Sequence, residues 1–222
     1  MYDLKEVPLF KNMKADDLAL IEEKIIKRTY PEKRVVFVQG QGTDGLYIIN
    51  SGMVKVLIMH SDGREKTLAI LNRGDILGEV TLFGSELRSA TVETLEPTSF
   101  LVISKEDFKL LLYSIPDLSI RVIELLSARL RRANHQIEEL TFFTARSRII
   151  CSLIHLVEEH GQDNKEKGIM LNFTHTELGR LVGVARETVT RVLNDLQDWG
   201  FITIEHKRIM VLKPDKLYKE VM

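Results

Sequence analysis

The segment GDILGEVTLFGSELRSATVE, residues 74–93, concentrates groups that can hold an anion. Gly78 lets backbone come close to a ligand. Residues 79–83 are expected to form one short helical turn, whose free N–H groups suit an anion. Arg88 adds a permanent positive charge and Ser89 a hydroxyl donor. Glu79 is the odd member, because a carboxylate repels a phosphate unless it accepts hydrogen bonds from a sugar hydroxyl. Together the set describes a cyclic nucleotide, with its phosphate on Arg88 and Ser89 and its ribose 2′-hydroxyl on Glu79. A structural Glu79–Arg88 ion pair with no ligand accounts for the same spacing.

A second set lies in FTHTELGRLVGVARETVTRVLNDLQDWG, residues 173–200. Val189, Leu193 and Leu196 share a helical face and should point to a core. Arg186, Glu187, Thr190, Arg191 and Asn194 are left pointing outward. Arginine pairs bidentately with guanine and glutamate accepts from cytosine N4, so this face can read base edges in a major groove. A Glu187–Arg191 surface pair, worth only about 0.3–0.5 kcal/mol, is the plainer alternative. Thr174, preceding the first helix, is placed to donate to a backbone phosphate.

Other chemistries find little support. The single cysteine, Cys151, excludes an internal disulfide and a cysteine-ligated zinc or iron–sulfur cluster within one chain. In the apolar stretch RIICSLIHLV it reads as a small core residue. A metal-dependent cupin would need clustered histidines on strands, yet His60 is the one histidine between residues 35 and 103. No nucleophile–base pair has a recognisable context. The N-terminus lacks an apolar signal segment and no apolar run is long enough to span a bilayer, which fits a soluble cytoplasmic protein. Net charge is −1, with 19 Lys+Arg against 21 Asp+Glu up to Thr144 and 12 against 11 after it. Bulk charge therefore announces no nucleic acid, and any DNA contact must come from placement.

The elements that would position these groups follow from glycine spacing and hydrophobic period. Eight of the 13 glycines lie between Gly40 and Gly84, and Gly52, Gly63 and Gly74 fall at intervals of eleven. Between them lie β-branched and apolar runs such as LYIIN, VKVLIM and KTLAIL. Short strands at this spacing predict a sandwich or jelly roll, with a hairpin at SDGR, residues 61–64, and a strand at Ser99–Ile103. A short helix is expected over residues 15–28. Ser104 is a plausible N-cap, and Pro116 opens a long helix of roughly 36 Å from Asp117 to Leu140. On it, Ile123, Leu126, Leu130, Ala133, Ile137 and Leu140 are spaced as a coiled-coil seam, while Leu118, Val122 and Leu125 form a second stripe. One stripe is expected to pack inward and the seam to meet a partner helix, which makes a homodimer. Thr144 should cap a helix over 145–160, followed by a polar loop at 162–168. Thr174 and Glu177 form a capping box for a helix through Val182. Gly183 marks a turn, a second helix spans Arg186–Trp199, and Gly200 closes it. The tail FITIEHKRIMVLK alternates like a two-stranded wing.

The chain resembles the cyclic-AMP receptor protein and FNR superfamily of bacterial transcription regulators. The resemblance covers almost its whole length. It is carried by FVQGQGTDGLYIINSGMVKV, by GDILGEVTLF with RSATV, and by GVARETVTRVL. It implies a β-roll effector domain, a dimerisation helix and a winged helix-turn-helix. Gly78, Glu79, Arg88 and Ser89 match the phosphate-binding cassette of the cyclic-AMP-responsive members. Arg186, Glu187 and Arg191 match the R-E-x-x-x-R that reads TGTGA-type half-sites, and Thr174 matches a phosphate-contacting threonine. Ala133 and Asn134 stand where those members hold adenine with Thr-Ser. Ala185 replaces the usual serine before the recognition helix and forfeits a cap worth about 0.5–2 kcal/mol. Contacts with RNA polymerase are also implied, with the 162–168 loop as a candidate surface.

The expected fold is α+β. Residues 1–115 form a cyclic-nucleotide-binding-like β-roll, 116–143 a dimerisation helix and hinge, and 144–222 a winged helix-turn-helix domain. The expected function is a homodimeric DNA-binding regulator that takes cAMP or a related cyclic nucleotide and needs no metal. Its rivals are the same regulator with another effector, such as a cyclic dinucleotide, or with none, and more remotely a cupin-like metalloenzyme. An effector beside the long helix would bias the helix pair between two arrangements, with Leu140–Thr144 as the hinge.

Overall fold

The computed structural model describes residues 4–81, 87–164, 168–205 and 208–220. The chain divides into two compact units, Met1–Arg132 and Ala133–Met222.

The first unit opens with 3-10 turns at Leu4–Glu6 and Pro8–Phe10, then α1 (Ala15–Glu22). Strands follow as β1 (Ile26–Tyr30), β2 (Val35–Phe37), β3 (Gly45–Ser51), β4 (Val54–Met59), β5 (Glu65–Leu71), β6 (Ile76–Leu77), β7 (Thr91–Thr94) and β8 (Thr98–Ser104). A 3-10 turn at Glu79–Thr81 lies between β6 and β7. Two antiparallel sheets result, in the orders β1-β8-β3-β6 and β2-β7-β4-β5. The hairpin at 61–64 joins β4 to β5, with Gly63 at φ 86°. The helix expected over 15–28 ends at Glu22, and β1 begins at Ile26. Thr29 and Tyr30 close that stretch with a β-branched and an aromatic side chain, and pairing with β8 wins over helix there.

Side chains alternate across each strand, so β3 and β8 feed two separate cores. Tyr47, Ile49, Phe100 and Val102 meet Val54 and Val92 of the other sheet. Leu46, Ile48, Leu101 and Ile103 face the other way, onto a helical layer. That layer holds Phe10, Ile21, Phe108 of α2 (Lys105–Ser114) and Leu118 and Val122 of α3 (Pro116–Phe142). Ser104 caps α2 by accepting a bond from the Asp107 N–H.

The second unit begins on α3 and continues with α4 (Ala145–His160), which Thr144 caps. Next come β9 (Gln162–Asn164), β10 (Gly168–Leu171), α5 (His175–Val182), α6 (Arg186–Asp198), β11 (Ile202–Glu205), β12 (Arg208–Val211) and α7 (Pro214–Lys219). The wing is part of a four-stranded sheet ordered β11-β12-β10-β9 rather than a lone hairpin. Residues 162–164 and 168, expected in a loop, are strand. Gly168 pairs with Asn164, and the ladder hydrogen bonds outweigh the polar composition. Cys151, expected in the core, is half-buried, and burial raises its thiol pKa.

Candidate functional site

In the first unit Arg88 follows the segment 82–86, which lies outside the described residues, as do positions 82 and 83 of the expected helical turn. Its side chain is almost fully buried. The guanidinium lies 4.0 Å above the Phe37 ring, a cation–π contact. Nη2 donates to Asp44 Oδ1 at 2.6 Å and to the Gly45 carbonyl at 3.0 Å. Asp44 also accepts from Arg28 Nη1 and the Tyr47 hydroxyl, both at 2.8 Å. Burial pushes the Asp44 pKa up, but the bonds from Tyr47, Arg28 and Arg88 outweigh it and hold the carboxylate ionised. Arg88 Nε and Nη1 are buried with no hydrogen-bond partner among the described residues. Buried donors are costly to leave unmade.

Glu79 opens the 3-10 turn and is 1% exposed. Its partner is Arg129 of α3, not Arg88. Arg129 also donates to the Ile76 carbonyl. Burial raises the Glu79 pKa, and the Arg129 charge works against that rise. Glu79 Oε2 is buried and unpartnered among the described residues. The simple Glu79–Arg88 pair is thereby replaced by two separate ion pairs, with two unpartnered atoms on Arg88 and one on Glu79 among the described residues.

Gly78 carries φ +87°, and a Cβ there would stand 2.2 Å from Arg88 Nη1. Gly78→Ala is therefore expected to displace Arg88 and to add left-handed strain of about 1–2 kcal/mol. Chemical denaturation checks it, and unchanged stability contradicts it. Ser89 is exposed. Ala133 and Asn134 are exposed on α3 and belong to the second unit. Arg129, Asp44, Phe37 and Tyr47 went unnoticed in the sequence. Arg129 stands one turn before Ala133 within an arginine-rich run, and nothing in spacing alone singles it out.

In the second unit the Thr174 hydroxyl accepts from the Glu177 N–H at 3.2 Å, while Glu177 Oε2 accepts from the Thr174 N–H at 2.7 Å, completing the capping box. The Thr174 hydroxyl proton goes to Glu177 Oε2. Gly183 turns the chain at φ 78°, and Ala185 supplies no side-chain cap. Val189, Leu193 and Leu196 are buried, with Val192 beside them. Arg186, Glu187, Thr190, Arg191 and Asn194 line one surface depression with Asp195. Arg146 of α4 bonds Asp195 at 2.9 Å and lies 4.6 Å above the Trp199 ring, tying α6 to its scaffold.

Along α3, Ile123, Leu130 and Ile137 are 63%, 63% and 62% exposed, and Leu140 is 49% exposed. Ala133 is exposed as well. Leu126 is half-buried and, with Leu125, packs against the first unit's core. A run of large apolar side chains left in water marks an interaction surface.

Among the described residues no helix is long and apolar enough to cross a membrane, and no group of His, Cys, Asp or Glu is placed to hold a metal ion. The family model for the cyclic nucleotide-binding domain matches residues 27–114, and that for the Crp-like helix-turn-helix domain matches residues 147–220. A sensor of this kind followed by a DNA-binding head is the make-up of a transcription regulator. The chain is 32% identical over 201 residues to the cyclic AMP receptor protein of Thermus thermophilus, covering 90% of each. It is 34% identical over 184 residues to the cAMP-activated global transcriptional regulator CRP of Salmonella typhimurium, covering 82% of this chain and 87% of that one. Among solved structures it is similar to the c-di-GMP responsive global regulator CLP of Xanthomonas campestris. There the TM-score is 0.80 and the identity 28%, over 89% of this chain and 99% of that one. It is also similar to the Thermus thermophilus catabolite activator protein, at TM-score 0.56 and 31% identity over 96% and 98% of the two chains. The chain belongs to the CRP/FNR family of transcription regulators.

Proposed function

We propose that the protein is a homodimeric cytoplasmic regulator that binds a cyclic nucleotide of the cAMP type and a pseudo-palindromic, TGTGA-type operator. The observation that carries the effector reading is the pair of buried, ion-paired side chains with unused polar atoms: Arg88 Nε and Nη1, and Glu79 Oε2. A cyclic phosphate would accept from Arg88, and a ribose hydroxyl would donate to Glu79. Arg88 keeps its Asp44 contact during this, because the donors it needs are the ones not in use. Titration with cAMP and cGMP by calorimetry, with Arg88→Leu as control, tests the reading. Heat from neither nucleotide would favour a different effector.

That second reading has its own support. The Xanthomonas campestris regulator similar to this chain is described as c-di-GMP responsive. Cyclic di-GMP therefore belongs in the same titration.

For DNA, two copies of α6 related by the dimer axis would enter successive major grooves about 34 Å apart. Arg186, Glu187 and Arg191 would read bases, and Thr174, whose hydroxyl proton is held by Glu177, would donate to a phosphate only by giving up that bond. Once bound, the protein would meet RNA polymerase near the 162–168 stretch, of which 165–167 lie outside the described residues. Arg191→Ala is expected to cost about 1–3 kcal/mol at one guanine and to relax specificity there, measured by binding to singly substituted operators. A uniform loss over all sequences would mean that Arg191 touches only phosphate.

A further inference from the structure

We infer that Thr190 reads a thymine through its methyl group, because its hydroxyl is already held by His175 and by the recognition helix itself. This rests on the DNA-binding reading above. Thr190 lies in the same depression as Arg186, Glu187, Arg191 and Asn194, at the centre of the outward face. Its Oγ1 donates to the Arg186 carbonyl, one turn back, at 3.0 Å. The same oxygen lies 2.9 Å from Nδ1 of His175, the first residue of α5.

A hydroxyl has one proton. With that proton on the Arg186 carbonyl, the His175 contact closes only if His175 carries a proton on Nδ1 and donates it to Thr190. Burial, and then the Arg186 charge, lower the His175 pKa, so the imidazole is held toward its neutral form and needs no counter-ion there. The Thr190 oxygen has then given its one proton and cannot donate to a base acceptor, although a second lone pair can still accept from a base N–H. Thymine presents an acceptor and a methyl in the major groove but no N–H donor, so against thymine what Thr190 offers is its γ-methyl. In the major groove an apolar group of that size complements the C5-methyl of thymine. A serine in its place would keep the hydroxyl bonds and lose the reading group.

The experiment uses the full-length dimer and an operator selected by this protein from a random duplex pool. Each dT is replaced in turn by dU, which removes only the C5-methyl. In the wild-type protein one position in each half-site is expected to weaken by about four-fold on T-to-U exchange, the worth of one buried methyl group. Thr190→Ser is expected to abolish that difference while leaving the dU operator bound as before. Thr190→Val, which keeps a methyl, is expected to retain it. In His175→Ala the T-over-U ratio is expected to fall toward one at the same position. Overturning results are an operator bound with no T-to-U sensitivity, or a sensitivity that survives Thr190→Ser. A protein that selects no sequence at all would instead overturn the DNA-binding reading, and this inference with it.

Discussion

Replacing Leu130 and Ile137 together by lysine is expected to yield a monomer that has lost most of its operator affinity. Both side chains are more than half exposed on α3, and nothing in the first unit's core needs them. Their place in a 3-4 spaced stripe is what a two-helix seam requires. Two ammonium groups in that seam would face their counterparts across the axis, where like charges repel and neither can be solvated. The fold of each unit should survive, since Leu118 and Val122, which anchor α3, point elsewhere. Loss of the second reading head removes the gain from simultaneous binding, on the order of 10²–10⁴ in affinity. Sedimentation velocity reads the mass and fluorescence anisotropy the operator affinity. A stable dimer from this variant would place the seam elsewhere.

Arg88→Leu is expected to abolish the response to nucleotide, with an affinity loss of about 100-fold or more. Removing one partner of a buried, hydrogen-bonded charge pair typically costs about 2–5 kcal/mol. The variant should still fold, because Asp44 keeps its bonds from Arg28 and Tyr47 and is 47% exposed. Thermal melting without ligand separates a lost site from a lost fold. Glu79→Ala is the companion variant. It leaves Arg129 without its carboxylate, but Arg129 is 34% exposed and water can serve it. Calorimetry should show the nucleotide response gone and the melting curve little changed. Unchanged ligand affinity in Glu79→Ala would refute its role at the ribose.

Much of this arrangement is legible in local sequence. Thr174, Glu177, Gly183 and Gly200 define the helix-turn-helix because caps and turns are decided within a few residues. Glycine punctuation marks the sandwich for the same reason. Illegible were the features built from distant residues. Asp44 reaches Arg88 across 44 positions, and Arg129 reaches Glu79 across 50. Only the packing of β3, β6 and α3 brings these together. The same holds for β9, where the polar run at 162–164 gave no strand period and pairing with β10 decides the matter. At Leu126 the sequence assigned one seam, whereas the side chain also packs inward, since a helix stripe spreads over more than one neighbour.

Control by an effector requires coupling between the buried Arg88 site and the DNA-reading face. Linkage makes that coupling reciprocal: if nucleotide tightens operator binding, operator must tighten nucleotide by the same factor. The most direct measurement is the operator dissociation constant of the full-length dimer, with and without saturating cyclic nucleotide, in wild type and in Arg88→Leu. A ligand-induced tightening of about ten-fold or more in the wild type, absent from Arg88→Leu, is the expected result. Equal operator affinity in all four conditions, with nucleotide bound in the wild type, would contradict it.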